Sequence, residues 1–126
     1  MRFMTEDSEL FLVDTNILVY AFSQEEHIKN KICKSIINKC WNGKANLAVS
    51  NQNLAEFVFV SARKAKLSIR QAREIIELIV SFDGFKKINY SAETIISAAG
   101  IADKFQMPFW DALLAATMKE NNIFNI

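Results

Sequence analysis

The sequence has one proline, three glycines, two cysteines and one histidine in 126 residues. So few glycines and prolines exclude a collagen-like or low-complexity chain and argue against an all-β fold of many short strands. A lone histidine, His27, leaves almost no room for a histidine-based zinc site or a Ser-His-Asp triad. Cys33 and Cys40 stand seven residues apart. On a helix that is about 10 Å, beyond the roughly 7 Å that a disulfide spans. In step with Ile28, Ile32, Ile36 and Ile37, they read as small core residues of a reduced cytoplasmic protein. No apolar run approaches the roughly 18–20 residues that cross a bilayer. The acidic stretch Met1–Glu9 lacks the basic-then-apolar order of a signal peptide. The expected location is the cytoplasm, with no membrane partner.

What is present is a globular composition, 51% hydrophobic and 23% charged, enough for one domain over residues 1–126 with a real core. Leu10-Phe11-Leu12-Val13 reads as a strand buried on both faces, closed by the polar turn Asp14-Thr15-Asn16. A helix follows from about Ile17 to Ser23, and another from His27 to Trp41, with Ile28, Ile32, Ile36 and Cys40 in helical step and Asn42-Gly43 as the stop. Ala45–Ser50 is a second strand, and Asn51 or Asn53 caps a helix to about Lys66. Ser68 and Gln71 form a capping box for a helix to about Phe82. Lys86–Tyr90 is a third strand, Ser91 caps a helix to about Phe105, and Pro108 opens a last helix through about Asn121. Asn122–Ile126 begins a fourth strand at which the sequence stops. Helices between successive strands imply crossovers, a mainly parallel sheet and helices on both faces.

Three carboxylates have apolar neighbours: Asp14 after Leu-Phe-Leu-Val, Glu56 in Leu54-Ala55-Glu56-Phe57-Val58, and Asp111 in Phe109-Trp110-Asp111-Ala112-Leu113. Such surroundings predict partial desolvation, which is costly unless the acid is paired, protonated or bound to a cation. In an open parallel sheet, ligands bind beyond the carboxyl ends of the strands, and all three acids fall near such ends. An oxygen-only set without histidine or exposed thiol suits Mg²⁺ or Mn²⁺. Each acid has a plainer alternative. Asp14 would cap the next helix, Glu56 would sit on a solvated helix edge, and Asp111 would be a first-turn acid favoured by the helix dipole. Thr15 and Asn16 read as the turn that aims Asp14. Phe109 and Trp110 read as core rather than as a base-stacking platform.

These residues resemble the PIN-domain ribonucleases, including VapC-type toxins of toxin–antitoxin pairs. The match begins at Val13-Asp14-Thr15-Asn16, continues at Asn53-Leu54-Ala55-Glu56-Phe57, and ends at Phe109-Trp110-Asp111-Ala112-Leu113-Leu114-Ala115-Ala116-Thr117. The resemblance implies a three-layer α/β/α sandwich around a mainly parallel sheet of about four to five strands, the last cut short. It implies a metal-dependent endoribonuclease, often homodimeric and held inactive by an antitoxin. Asp14, Glu56 and Asp111 carry over as metal-coordinating catalytic acids, and Thr15 and Asn16 as the supporting turn. The family's further Thr-x-Asp or Thr-x-Asn position is not reached before Ile126. Either that position lies beyond Ile126 or it is absent, and its absence supports the alternative, a PIN-like module that binds RNA or protein with impaired cleavage. A phosphatase with an Asp at a strand end commonly wants a second Asp two residues on, where this chain has Asn16.

The net charge of +1 hides three blocks: residues 1–26 carry net −5, residues 27–73 net +9 and residues 74–126 net −3. Glu56 is the sole acid of the basic block. Such a block would attract a polyanion, and Arg63, Lys64, Lys66, Arg70 and Arg73 are its candidate contacts to RNA phosphates.

Overall fold

A computed structural model describes residues 9–24 and 28–126. The acidic stretch through residue 8 and His27, the expected start of the second helix, lie outside the described residues. The elements are β1 (Leu10–Leu12), α1 (Thr15–Ala21), α2 (Ile28–Trp41), β2 (Asn46–Ser50), α3 (Asn51–Lys64), α4 (Ile69–Ser81), β3 (Phe85–Ile88), α5 (Ala92–Phe105) and α6 (Phe109–Glu120).

The sheet is parallel, in the order β1-β2-β3. Each strand-to-strand step is filled by a helix pair, as parallel pairing requires. The expected fourth strand shrinks to one parallel bridge between Phe11 and Asn125, where the Leu12 N–H donates to the Asn125 carbonyl at 2.8 Å. The described sheet thus has three strands, with β1 lying between β2 and this bridge.

Side-chain alternation along the strands splits the core into two layers. Leu47, Val49 and Phe85 pack with α1 to α4. Leu12, Ala48 and Ile88 face the other way, onto Ile123, Leu114 and Met118. The α5–α6 pair adds a third cluster around Ala98, Ala112, Leu113 and Ala116, whose small side chains let the two helices approach closely.

Local signals set most boundaries. Ser50, Ser68 and Ser91 each cap a helix through a capping box, with Asn53, Gln71 and Thr94 reaching back. Gly43, at φ 72°, adopts the left-handed turn that stops α2, a conformation glycine enters without steric cost. Pro108 is the residue before α6 rather than the first inside it, because its ψ of 139° is extended.

The apolar line expected along α2 is only half buried. Ile28 and Ile32 are 79% and 56% exposed, while Asn30, Cys33, Ile37 and Cys40 form the buried face. Steps of four residues rotate about 40° each around a 3.6-residue helix. A line that starts at Ile28 therefore begins in solvent and meets the core only at Ile36 and Cys40. Both cysteines are free and buried, and burial pushes both thiols above their ordinary value. Among the described residues no helix is long and apolar enough to cross a membrane.

Candidate active site

A cleft of about 740 Å³ opens at the carboxyl ends of all three strands. From the end of β1 it takes Asp14 and Thr15, from the end of β2 Asn51, Gln52, Asn53 and Glu56, and from the end of β3 Asn89 and Tyr90. The start of α6 closes the far wall with Trp110 and Asp111. The N-termini of α1, α3 and α6 all contribute residues to it. Their dipoles place partial positive charge where the acids gather. Among the described residues no lysine, arginine or histidine lines the cleft.

The three acids singled out in the sequence therefore share one cleft. They are not desolvated as expected: Asp14, Glu56 and Asp111 are all exposed. Their apolar neighbours in sequence turn to other faces. Leu54 and Phe57 bury one side of α3, and Ala112 and Leu113 bury one side of α6, so each carboxylate is left outward. Nor do the acids crowd together. Among the described residues, no group of three His, Cys, Asp or Glu side chains is spaced to hold one metal ion.

Asp14 occupies the N-cap of α1, yet its side chain makes no capping hydrogen bond. The capping alternative therefore does not account for it, and the carboxylate is left to the cleft. Its carbonyl does the local work, accepting from the Ile17 N–H at 3.0 Å. Thr15, the first residue of α1, is buried, and its hydroxyl accepts from Asn53 Nδ2 at 3.0 Å. Asn53 Oδ1 in turn accepts from the Ser50 N–H at 3.3 Å and from the Ser50 hydroxyl at 2.7 Å. Ser50, Asn53 and Thr15 thus bolt the Asp14 turn to the helix that carries Glu56. Asn16, the other expected support, is exposed and does not line the cleft.

Gln52 makes a second bolt. Its Nε2 donates to the Trp110 carbonyl at 3.2 Å and lies 3.4 Å from Glu56 Oε1, linking α3 to the first turn of α6. Its Oε1 is buried without a hydrogen-bond partner. The sequence reading missed Gln52 and gave Asn53 only a capping role. The Ser50-x-x-Asn53 spacing was a signal for the first network, and nothing in the sequence pointed to the second.

Trp110 is 62% exposed, so the expectation that it belongs to the core is wrong for this ring. Phe109 does pack against the α5–α6 cluster, edge-on to Trp110 at 5.5 Å. Adjacent residues on a helix point about 100° apart, which sends one ring inward and the other to the cleft.

The candidate phosphate contacts lie outside the cleft. Arg63 and Lys64 are exposed in the last turn of α3, and Arg63 stands 5.9 Å over the ring of Phe59. Lys66 is exposed just past that helix. Arg70 and Arg73 point to solvent from α4 and pair with Glu74 and Glu77 one turn on, at 3.8 and 2.8 Å. Such exposed pairs are weak and leave both arginines able to exchange partners.

The donor chemistry of the cleft fits a hard divalent cation. Three carboxylates line it, and among the described residues no cationic side chain balances them. Mg²⁺ keeps several waters and is usually held by one or two carboxylates, so three close ligands are not required.

Comparison with known proteins gives the same architecture. The PIN domain family model matches residues 11–125. No curated protein sequence matches the chain. Among solved structures, the Mycobacterium tuberculosis VapC20 toxin, described as cleaving the sarcin-ricin loop, superposes with a TM-score of 0.67 at 19% identity, over 91% of this chain and 85% of that one. A toxin–antitoxin complex from Klebsiella pneumoniae superposes with a TM-score of 0.60 at 22% identity, over 92% of this chain and 82% of that one.

Proposed function

We propose, from the premise that this chain belongs to the PIN domain family, that it is a Mg²⁺- or Mn²⁺-dependent endoribonuclease and the toxin of a toxin–antitoxin pair. The observation that carries the reading is the placing of Asp14, Glu56 and Asp111 on one cleft at the strand ends, with no cationic side chain lining it among the described residues. Asp14 and Asp111 would hold the ion from two helix N-termini. A divalent ion held there supplies positive charge and Lewis-acid polarisation to the phosphoryl oxygens of the substrate. Glu56, steadied by Gln52, accepts a hydrogen bond from the attacking water and aims it. The two bolts keep the three carboxylates in register across β1, α3 and α6. Arg63 and its basic neighbours hold flanking phosphates without reading sequence.

The neighbours' descriptions as toxins support an antitoxin as protein partner. Exposed apolar side chains such as Ile28, Ile32, Ile96 and Phe105 provide surface that an antitoxin or a second copy of the chain would cover.

The test is cleavage of an RNA oligonucleotide with Mg²⁺ or Mn²⁺ against a chelator, in the wild type and in Asp14→Asn, Glu56→Gln and Asp111→Asn. Cleavage should require the ion and fall at least about 100-fold in each variant. Equal cleavage by wild type and Asp14→Asn would refute the assignment. A second reading, a module that binds RNA or protein without cutting, is favoured by the fact that among the described residues no three such side chains are placed to share one ion. RNA binding without ion-dependent cleavage would select it.

A further inference from the structure

Gln52 stands one turn before Glu56 on α3, so the two side chains share a helix face, and both line the cleft. Its amide nitrogen carries two hydrogens and has two acceptors for them. One is Glu56 Oε1 at 3.4 Å and the other is the Trp110 carbonyl at 3.2 Å. That carbonyl belongs to the residue before Asp111, so one amide reaches the turns that carry two of the three acids. The amide can face only one way. Turned over, it would set its oxygen against a carboxylate and a carbonyl, both acceptors. In the orientation it takes, Gln52 Oε1 is buried and has no hydrogen-bond partner among the described residues. Burying an unpaired oxygen costs free energy, so the amide is held by what its nitrogen does.

This hold decides where Glu56 is kept. A flexible carboxylate beside two other acids is drawn to any divalent ion that they bind. Gln52 pulls Glu56 back against α3. Among the described residues, no three His, Cys, Asp or Glu side chains are placed to share one ion. Mg²⁺ keeps several waters and needs only one or two carboxylates, so Asp14 and Asp111 suffice to hold it.

We propose that Gln52 is a positioning residue that withholds Glu56 from the ion. Two carboxylates then bind the cation, and the third stays free to face the water. This rests on the metal-dependent nuclease reading and adds to it how the three acids are kept in different roles. The sign of the expected effect is specific. Freeing Glu56 tightens the ion and slows the cleavage, whereas losing a residue that only stabilised the fold would weaken both.

The experiment titrates Mn²⁺ alone, without RNA, and follows free Mn²⁺ by its electron paramagnetic resonance signal. The proteins are the wild type, Gln52→Leu, Glu56→Gln, Asp14→Asn and the double variant Gln52→Leu/Glu56→Gln. Leucine keeps much of the bulk of Gln52 and has no donor. Gln52→Leu should bind Mn²⁺ about 10-fold more tightly, within what one hydrogen bond to a charged group is worth. Glu56→Gln should bind within about twofold of the wild type, and the double variant should match it, because the gain runs through that carboxylate. At saturating Mn²⁺, Gln52→Leu should lower kcat on an RNA oligonucleotide at least about 10-fold and leave KM unchanged.

The Glu56→Gln arm does not depend on whether Gln52→Leu folds. A loss of Mn²⁺ affinity there as large as in Asp14→Asn would make Glu56 a ligand already and overturn the proposal. Equal or weaker Mn²⁺ binding by folded Gln52→Leu, in a chain that cleaves RNA, would overturn it and keep the nuclease. The expected Mn²⁺ pattern in a chain that does not cleave would keep the withheld carboxylate and sink the nuclease reading. A wild type that binds no Mn²⁺ would overturn both.

Discussion

Asn53→Ala is the most informative single change for the frame of the site. Asn53 is 1% exposed and its side chain makes three hydrogen bonds, to Thr15 Oγ1, the Ser50 N–H and the Ser50 hydroxyl. Each is worth about 1 kcal/mol net, and the two buried partners left unsatisfied add to the cost. The sum is about 2–4 kcal/mol, a large part of the 5–15 kcal/mol that holds an ordinary domain. In urea, with a slope of about 1–3 kcal/mol per molar, the midpoint should fall by about 1–2 M with the slope unchanged. Asn51→Ala removes an exposed amide from the same helix end and should stay within about 0.5 kcal/mol. In a cycle with Thr15→Val, the coupling should be about 1 kcal/mol, since the two changes remove one shared bond. A cost below about 1 kcal/mol for Asn53→Ala, or additivity with Thr15→Val, would show that the network does not tie the Asp14 turn to α3.

The two faces of α2 should respond oppositely to truncation. Ile37→Ala, at a site 2% exposed, should cost about 2–5 kcal/mol by urea denaturation, whereas Ile28→Ala should cost under about 0.5 kcal/mol. The thiols predict an alkaline loss of stability. Burial holds the folded-state values above the ordinary 9.0 of the unfolded chain, so the native state binds more protons there. That contribution is complete below pH 9.0 and is lost as the pH climbs through the raised folded-state values. A Cys33→Ala/Cys40→Ala variant should show a shallower decline in stability above pH 9 than the wild type, measured by denaturant titration at each pH.

Local chemistry made the helix boundaries legible. A serine with a polar side chain three residues on, or a glycine just past the last apolar residue of a helix, settles an end without reference to the rest of the fold. Long-range partners were not legible. The segment at Asn125 has strand character but one bridge, because pairing depends on what lies beside β1 rather than on its own residues. The site divides in the same way. The acids were found by their apolar neighbours, and the physical reason attached to that signal was wrong. A helix shows a carboxylate and a leucine to different media one residue apart, so linear company does not measure desolvation. Exposure is what would suit these groups to the proposed cation and charged substrate. Gln52 was invisible because its importance lies in reaching the Trp110 carbonyl, 58 residues away.

The charge blocks can now be given places. Among the described residues the cleft carries three carboxylates and no cation, while Arg63 and Lys64 sit at the far end of α3 from Glu56's cleft-lining turn. On the proposed function, a polyanion drawn to the basic end would have to enter a negative cleft to be cut. At roughly 8 Å in water, each carboxylate repels a phosphate charge by about 0.5 kcal/mol, or about 1.5 kcal/mol for three. That is about tenfold in affinity, and salt at 0.1 M screens much of it. The triple variant Asp14→Asn/Glu56→Gln/Asp111→Asn, in chelator and low salt, should bind an RNA oligonucleotide about tenfold more tightly than the wild type does. Raising the salt should close the gap. Equal or weaker binding by the triple variant would mean that RNA does not pass these carboxylates. The cleft would then lose its claim to the chemistry whatever the family does elsewhere.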